Sequence, residues 1–242
     1  MDPISTAQLV AAQWPNIINP LPKPLTAAIA AWEAVTYIDP PVTPLNAEAI
    51  TAANAADRVA ELAAVLAVEN AFGEAKSRIR HALTMRVLRQ AGEAVPAIIT
   101  ALTDSFNDAA TGYVEAIRSL PDSFDAADLV RLGPAAVECY HVAVVHQNVI
   151  AAVDAWLAQL HQIPAYAGHQ PDPVLRVLHP TTRRELSILV NATEAPADLN
   201  AVYLAAAREG IAFEMHLPAE AAAIRADIEA QPVESPVRLI AV

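Results

Sequence analysis

Cys139 is the only cysteine in the 242 residues, which excludes an intramolecular disulfide and any all-cysteine metal site. Glycine is nearly as scarce. Its six positions, Gly73, Gly92, Gly112, Gly133, Gly168 and Gly210, are too far apart to build a phosphate-cradling loop, so P-loop and dinucleotide fingerprints are absent. Lys23 and Lys76 are the only lysines among fifteen cations, which stand against twenty-seven carboxylates. The net charge of −12 disfavours broad binding to nucleic acid or to an anionic membrane surface, since both depend on positive potential. A local basic strip is the one exception this leaves. The most apolar long window, 143–160, contains His146, Gln147, Asn148, Asp154 and Gln159, and the first residues lack a basic stretch followed by an apolar core. Neither a transmembrane span nor a signal peptide is expected.

Alanine fills the space left by these absences, with 54 of the 242 residues. It accounts for much of the 55% hydrophobic fraction while burying little area per residue, and aromatic residues make up only 5%. Closely packed helices suit this composition better than a bulky core. The chain is long enough for one large domain or two small ones. Nineteen prolines concentrate in 3–44, 164–180 and 218–236, where they mark helix ends.

The pattern predicts a mainly α protein, a long-helix hairpin or bundle with a small C-terminal α/β subdomain. Residues 1–24, with five prolines around Trp14, Ile17 and Ile18, read as an extended arm whose apolar anchors wrap a neighbouring subunit or pack on their own domain. Residues 25–162 read as the helical bundle. A short helix over 25–38 presents Leu25, Ile29, Trp32 and Val35 or Thr36 on one side. Residues 46–120 are helical except at Pro96, with Thr43 or Asn46 as the cap. The first part carries Val59, Leu62, Val65, Leu66, Val68, Phe72, Ile79, Leu83 and Val87 at helical spacing. The second carries Ile98, Leu102, Phe106, Tyr113, Ile117 and Leu120. One kinked rod and two helices with a corner are both compatible with Pro96.

A further helix over 134–160 offers Val137, Tyr140, Val144, Val145, Val149, Val153, Trp156 and Leu160 for burial. Residues 163–180 form a proline-rich connection. In 181–242, strands are expected at 186–190, 211–217 and 237–242, and helices at 197–209 and 219–230, with Gly210 as a cap.

Chemistry-bearing motifs are sparse. Glu138 and His141 form a Glu-x-x-His pair as in di-iron bundles, but those sites need a second such pair and two more glutamates. Cys139 and His141, two apart on a helix, point in different directions, so the thiol is not activated by that imidazole. His161, His169 and His179 match no ligand spacing. There is no Gly-x-Ser-x-Gly elbow and no His-Glu-x-x-His helix. The expectation is a protein that is not an enzyme, with no metal and no cofactor. The one charge concentration is Lys76, Arg78, Arg80, Arg86 and Arg89, part of it self-paired through Glu74 and Arg78. It is the candidate partner-binding strip, together with Trp14, Ile17 and Ile18.

From Arg183-Arg184-Glu185-Leu186 through Thr193-Glu194 and Asn200 to Ala205-Ala206-Ala207-Arg208-Glu209-Gly210-Ile211, the order of residues resembles the core pattern of the phage Mu F-like head morphogenesis proteins. The downstream cysteine and Asp-Arg features of that family are missing after Pro218. The excess of arginine over lysine and of alanine resembles coding from a GC-rich genome, as in actinobacteria and their phages. The resemblance implies a non-enzymatic virion protein, capsid- or portal-associated, whose partners are other copies of itself and capsid or portal proteins. It would be located in the virion, and in the host cytoplasm during assembly. The alternative is a bacterial helical scaffold with no virion role; a metal-dependent bundle using Glu138 and His141 is a third reading.

Overall fold

The computed structural model describes residues 2–39, 50–51, 53–121, 126–193 and 199–232, and the side chains of 126 and 127 are not among these. Among the described residues the chain is mainly helical: α1 (Pro3–Gln13), α2 (Lys23–Thr36), α3 (Ala55–Arg118), α4 (Ala126–Leu132), α5 (Pro134–Gln159), α6 (Arg183–Ala192), α7 (Ala201–Glu209) and α8 (Pro218–Ala230). Two short strands, β1 (Leu178–His179) and β2 (Ala212–Phe213), pair antiparallel. The chain divides into two compact units, one of residues 1–15 and 20–94 and the other of 16–19 and 95–242. The proline-rich stretch 163–180 lies inside the second unit.

In the first unit the expected extended arm is instead α1. Asp2 accepts hydrogen bonds from the Ile4 and Ser5 amides, and Pro3 stands in the first turn, where its missing N–H costs nothing. Val10 and Trp14 are fully buried. Helix α2 buries Leu25, Ile29 and Trp32, and the Trp32 indole N–H donates to Thr84 Oγ1 at 3.0 Å. That bond satisfies both polar groups of a buried contact. The expected caps Thr43 and Asn46 lie outside the described residues.

Residues 55–118 form one continuous helix, with Pro96 inside it. The apolar row at helical spacing along its first part is mostly not core. Val87 is buried, Val65, Phe72 and Leu83 are half-buried, and Val59, Leu62, Leu66, Val68 and Ile79 are exposed. The periodicity is a sound sign of helix, but it does not say that anything packs against the face it marks.

In the second unit the later part of α3 buries Ile98, Leu102, Phe106, Tyr113 and Ile117, spaced as one helix face. Helix α5 buries Ile150, Val153, Trp156 and Leu157, whereas Val137, Val145 and Val149, expected to be buried, stay exposed. Gly112 marks a close approach, because a methyl there would stand closer than van der Waals contact to three atoms of the His146 ring. Gly112→Ala is therefore expected to destabilise the protein by about 1–2 kcal/mol, overpacking outweighing the helix propensity that alanine gains. In a His146→Ala background the same change should stabilise by about 1 kcal/mol. Urea denaturation of the four chains measures both.

Residues 186–190, expected as a strand, are helical in α6. The Thr182 hydroxyl accepts from the Glu185 amide, and the Glu185 carboxylate accepts from the Thr181 amide at 2.6 Å, so the helix is capped from both directions. Leu186 and Leu189 then fall on one buried side. Helix α7 ends as expected at Gly210, whose φ of 72° suits a residue without a Cβ. Of the strand expected at 211–217 only Ala212–Phe213 forms, and 237–242 lies outside the described residues. No helix among the described residues is long and apolar enough to cross a membrane.

Candidate functional site

The cations of the basic strip differ in burial and in partners. Lys76 Nζ donates to the carbonyls of Thr36 and Ile38 at 3.1 and 2.5 Å, closing the C-terminal end of α2. Lys76, a candidate partner-binding residue, is thus placed against its own chain. Arg80 is half-buried, and its Nε is buried without a hydrogen-bond partner among the described residues. Arg78, Arg86 and Arg89 face solvent, Arg78 paired with Glu74 and Arg89 standing 3.9 Å from Glu93. The apolar candidates move too: Trp14 is fully buried, and Ile17 and Ile18 are half-buried.

Around Arg78, Arg86 and Arg89, the solvent side of α3 carries a stripe at three- and four-residue steps, with two successive four-residue steps over Ala71–Ala75–Ile79: Asp57, Glu61, Ala64, Val68, Ala71, Ala75, Ile79, Ala82, Arg86 and Arg89. Every one of these is exposed, Val68 at 57% and Ile79 at 50%. The stripe is acidic at one end, small and apolar in the middle and basic at the other. Its middle, from Ala64 to Ala82, is uncharged and carries two large apolar side chains open to solvent.

A polar network holds the second unit together. Asp154 receives Arg176 Nε at 2.5 Å and Nη2 at 3.2 Å, one on each carboxylate oxygen, and the Tyr203 hydroxyl at 2.8 Å. Burial, with the Asp154 charge beside it, pushes the Tyr203 hydroxyl well up from its ordinary pKa. Asp172 accepts from the Val174 and Leu175 amides at 3.0 and 3.2 Å and pairs with Arg225. Burial alone would raise its carboxyl, but the Arg225 hydrogen bond and those amides hold it below the ordinary range. Arg176 sits at the junction, because its backbone carbonyl accepts the His216 amide at 2.9 Å, just before β1 begins.

Next to this junction the β ribbon collects a second cluster. The register pairs His179 with Ala212, and the Glu214 amide donates to Val177 O at 3.0 Å, so the side chains of His179 and Glu214 leave the ribbon on the same face. The His216 amide then bonds to Arg176 rather than Leu175, one residue off the ladder, as at a β-bulge. Its ring lies 5.1 Å from the His179 ring, centroid to centroid. On the opposite face Phe213 meets Tyr113 and Tyr203 edge-on at 6.0 and 6.2 Å. One ligand atom from each of His179, Glu214 and His216 lies within 4.8 Å of the others. Desolvation lowers the His216 pKa from its ordinary value, with opposing influence from Glu214, so the ring is favoured in its neutral form.

No family model, curated protein or solved structure matches this chain.

The other sequence candidates stay apart. Glu138 and His141 are exposed on α5, Cys139 is half-buried, and His169 is exposed. His161 keeps its Nδ1 2.6 Å from the Ala158 carbonyl. Of the three histidines flanking the proline-rich stretch only His179 joins a cluster, and its partners, Glu214 and His216, carry no ligand spacing that points to them. The signal available is a Glu-x-His step within the segment read as a strand, where alternation places both side chains on one side. The residues that carry the Mu F-like resemblance lie on α6, α7 and their flanks. Arg184 Nη2 stands 3.7 Å from Glu209, whereas Glu194 lies outside the described residues.

Proposed function

We propose that this is a non-enzymatic structural or assembly protein that works in multiple copies, joined by antiparallel pairing of the 57–89 part of α3 with the same part of a second copy. The exposed stripe on that helix carries the proposal. A two-fold axis between Ala71 and Ala75 sets those two residues against each other, Val68 against Ile79, Glu61 against Arg86 and Asp57 against Arg89. Acidic ends then meet basic ends twice over, and the alanines allow the helices to approach closely. The three-and-four spacing is that of a helical seam. The intrachain pair of Glu61 with Arg58 at 2.6 Å is an exposed one, weak enough to exchange for an intersubunit pair.

The place proposed for this assembly is a tailed-phage particle, near the capsid or portal. The order of residues over 183–211 and the Ala- and Arg-rich composition support that placement.

Arg86→Glu with Arg89→Glu is expected to weaken self-association by about a thousandfold, since four favourable pairs of about 0.5 kcal/mol each are lost and turn repulsive by a similar amount. Adding Asp57→Arg and Glu61→Arg to the same chain should restore it. Sedimentation equilibrium reads both. A wild-type chain that stays monomeric at every concentration, or a double variant of unchanged mass, defeats the pairing. Failure of the wild-type chain to cosediment with phage heads or portal complexes defeats the virion placement alone.

A further inference from the structure

We infer that His179, Glu214 and His216 form a binding site for one divalent transition-metal ion of the zinc class, with two imidazole nitrogens and one carboxylate oxygen as ligands. Two features of the cluster point to an ion rather than to a hydrogen-bonded trio. His179 Nδ1 stands 2.9 Å from Glu214 Oε2, yet that nitrogen makes no hydrogen bond of acceptable direction. The two atoms converge without a proton directed between them. His216, only 5% exposed, buries its Nε2 with no hydrogen-bond partner among the described residues. A buried imidazole nitrogen left in this way bears its full desolvation cost unless something satisfies it. A metal bond would satisfy it.

The dimensions also fit. A four-coordinate ion with bonds of about 2.0–2.1 Å holds its ligand atoms roughly 3.4 Å apart, and one ligand atom from each of the three residues already lies within 4.8 Å of the others. Two imidazoles and a carboxylate suit zinc and its neighbours in the series; magnesium and calcium prefer sets made of oxygen alone. The Glu214 side chain is 59% exposed and that of His179 37%, so the fourth position opens towards water. The ribbon supplies the rigidity. His179 comes from β1, the other two from the segment that continues the strand paired with it, and the off-register bond of His216 to Arg176 holds the third ligand beside the Asp154 network. An ion here would clasp the two chain segments across the ladder, and its binding would stabilise the second unit by linkage.

The test is calorimetric titration of the chelator-treated full chain with Zn²⁺, and Co²⁺ loading to read the visible absorption of a tetrahedral site. One equivalent of Zn²⁺ should bind, and Mg²⁺ should give no comparable heat. Because both side chains reach solvent, Glu214→Gln and His179→Gln should fold as the wild type does by circular dichroism. Each should bind Zn²⁺ at least tenfold more weakly and lose the Co²⁺ band. No uptake by the wild-type chain overturns the assignment, as does uptake that neither variant weakens. None of these residues lies on α3, so either result leaves the pairing proposal unaffected.

Discussion

Asp154→Ala is expected to destabilise the second unit by about 3–5 kcal/mol, the cost typical of removing one partner from a buried ion pair. Both side chains are largely buried, Asp154 with 14% and Arg176 with 17% of its surface exposed. Without the carboxylate, the Arg176 guanidinium keeps its place in the interior with, among the described residues, only the Asp172 carbonyl, at 3.3 Å from Nη1, to receive it. The Tyr203 hydroxyl loses its acceptor in the same step. Most of the loss is thus a desolvated charge left without its partner, and the effect should be conditional. Asp154→Leu combined with Arg176→Met should recover most of the stability, because replacing both members of a buried pair with apolar groups is often neutral. Tyr203→Phe should cost only about 1 kcal/mol, the ordinary worth of one hydrogen bond. Urea denaturation of the four chains decides the matter. A small loss in Asp154→Ala, or no recovery in the apolar double variant, would mean that the network does not hold the unit as described.

The second large effect concerns Trp14. Trp14→Ala should cost the first unit about 3–5 kcal/mol, as truncation of a buried aromatic side chain does in a core that cannot collapse around the cavity. The measurement that matters is denaturation at a concentration where the chain is monomeric. A residue that anchored a neighbouring subunit would leave monomer stability unchanged and lower only the association constant. A residue packed in its own unit does the reverse, and the complete burial of Trp14 predicts the reverse. Ile17→Ala and Ile18→Ala, at half-buried positions, should each cost less, about 1 kcal/mol.

Much of the helical architecture is legible in the chain because helix-forming signals are local. Apolar periodicity, Pro134 and Pro218 in first turns and Gly210 after a last turn all act over a few residues. Two expectations fail where a local preference does not become the local outcome. Prolines suggest an extended arm at 1–24, although a proline in the first turn is also how helices begin. At 186–190, alternation suggests a strand, although Thr182 and Glu185 form a reciprocal cap and commit the segment to a helix.

The sites are harder to read. A row of apolar residues at helical spacing looks the same whether it is buried or bare, and only the packed chain distinguishes Val87, fully buried, from Val59 with 68% of its surface exposed. The basic strip is visible as composition, but its division between Lys76 and the outward arginines depends on where α2 ends in space. The histidine cluster is least visible. His179 and His216 are far apart in sequence, and no ligand-spacing rule connects them until a two-residue ladder brings them side by side.

That the chain is mainly helical, and poor in the loops and thiols that common cofactor sites need, follows from its residues alone, because composition and short-range capping settle those matters within a turn or two. Which faces are covered and which side chains meet follows from the folded chain and from nothing shorter. Burial and convergence depend on the path of the whole chain: closing a loop between distant residues carries an entropic cost that no nearby residue records.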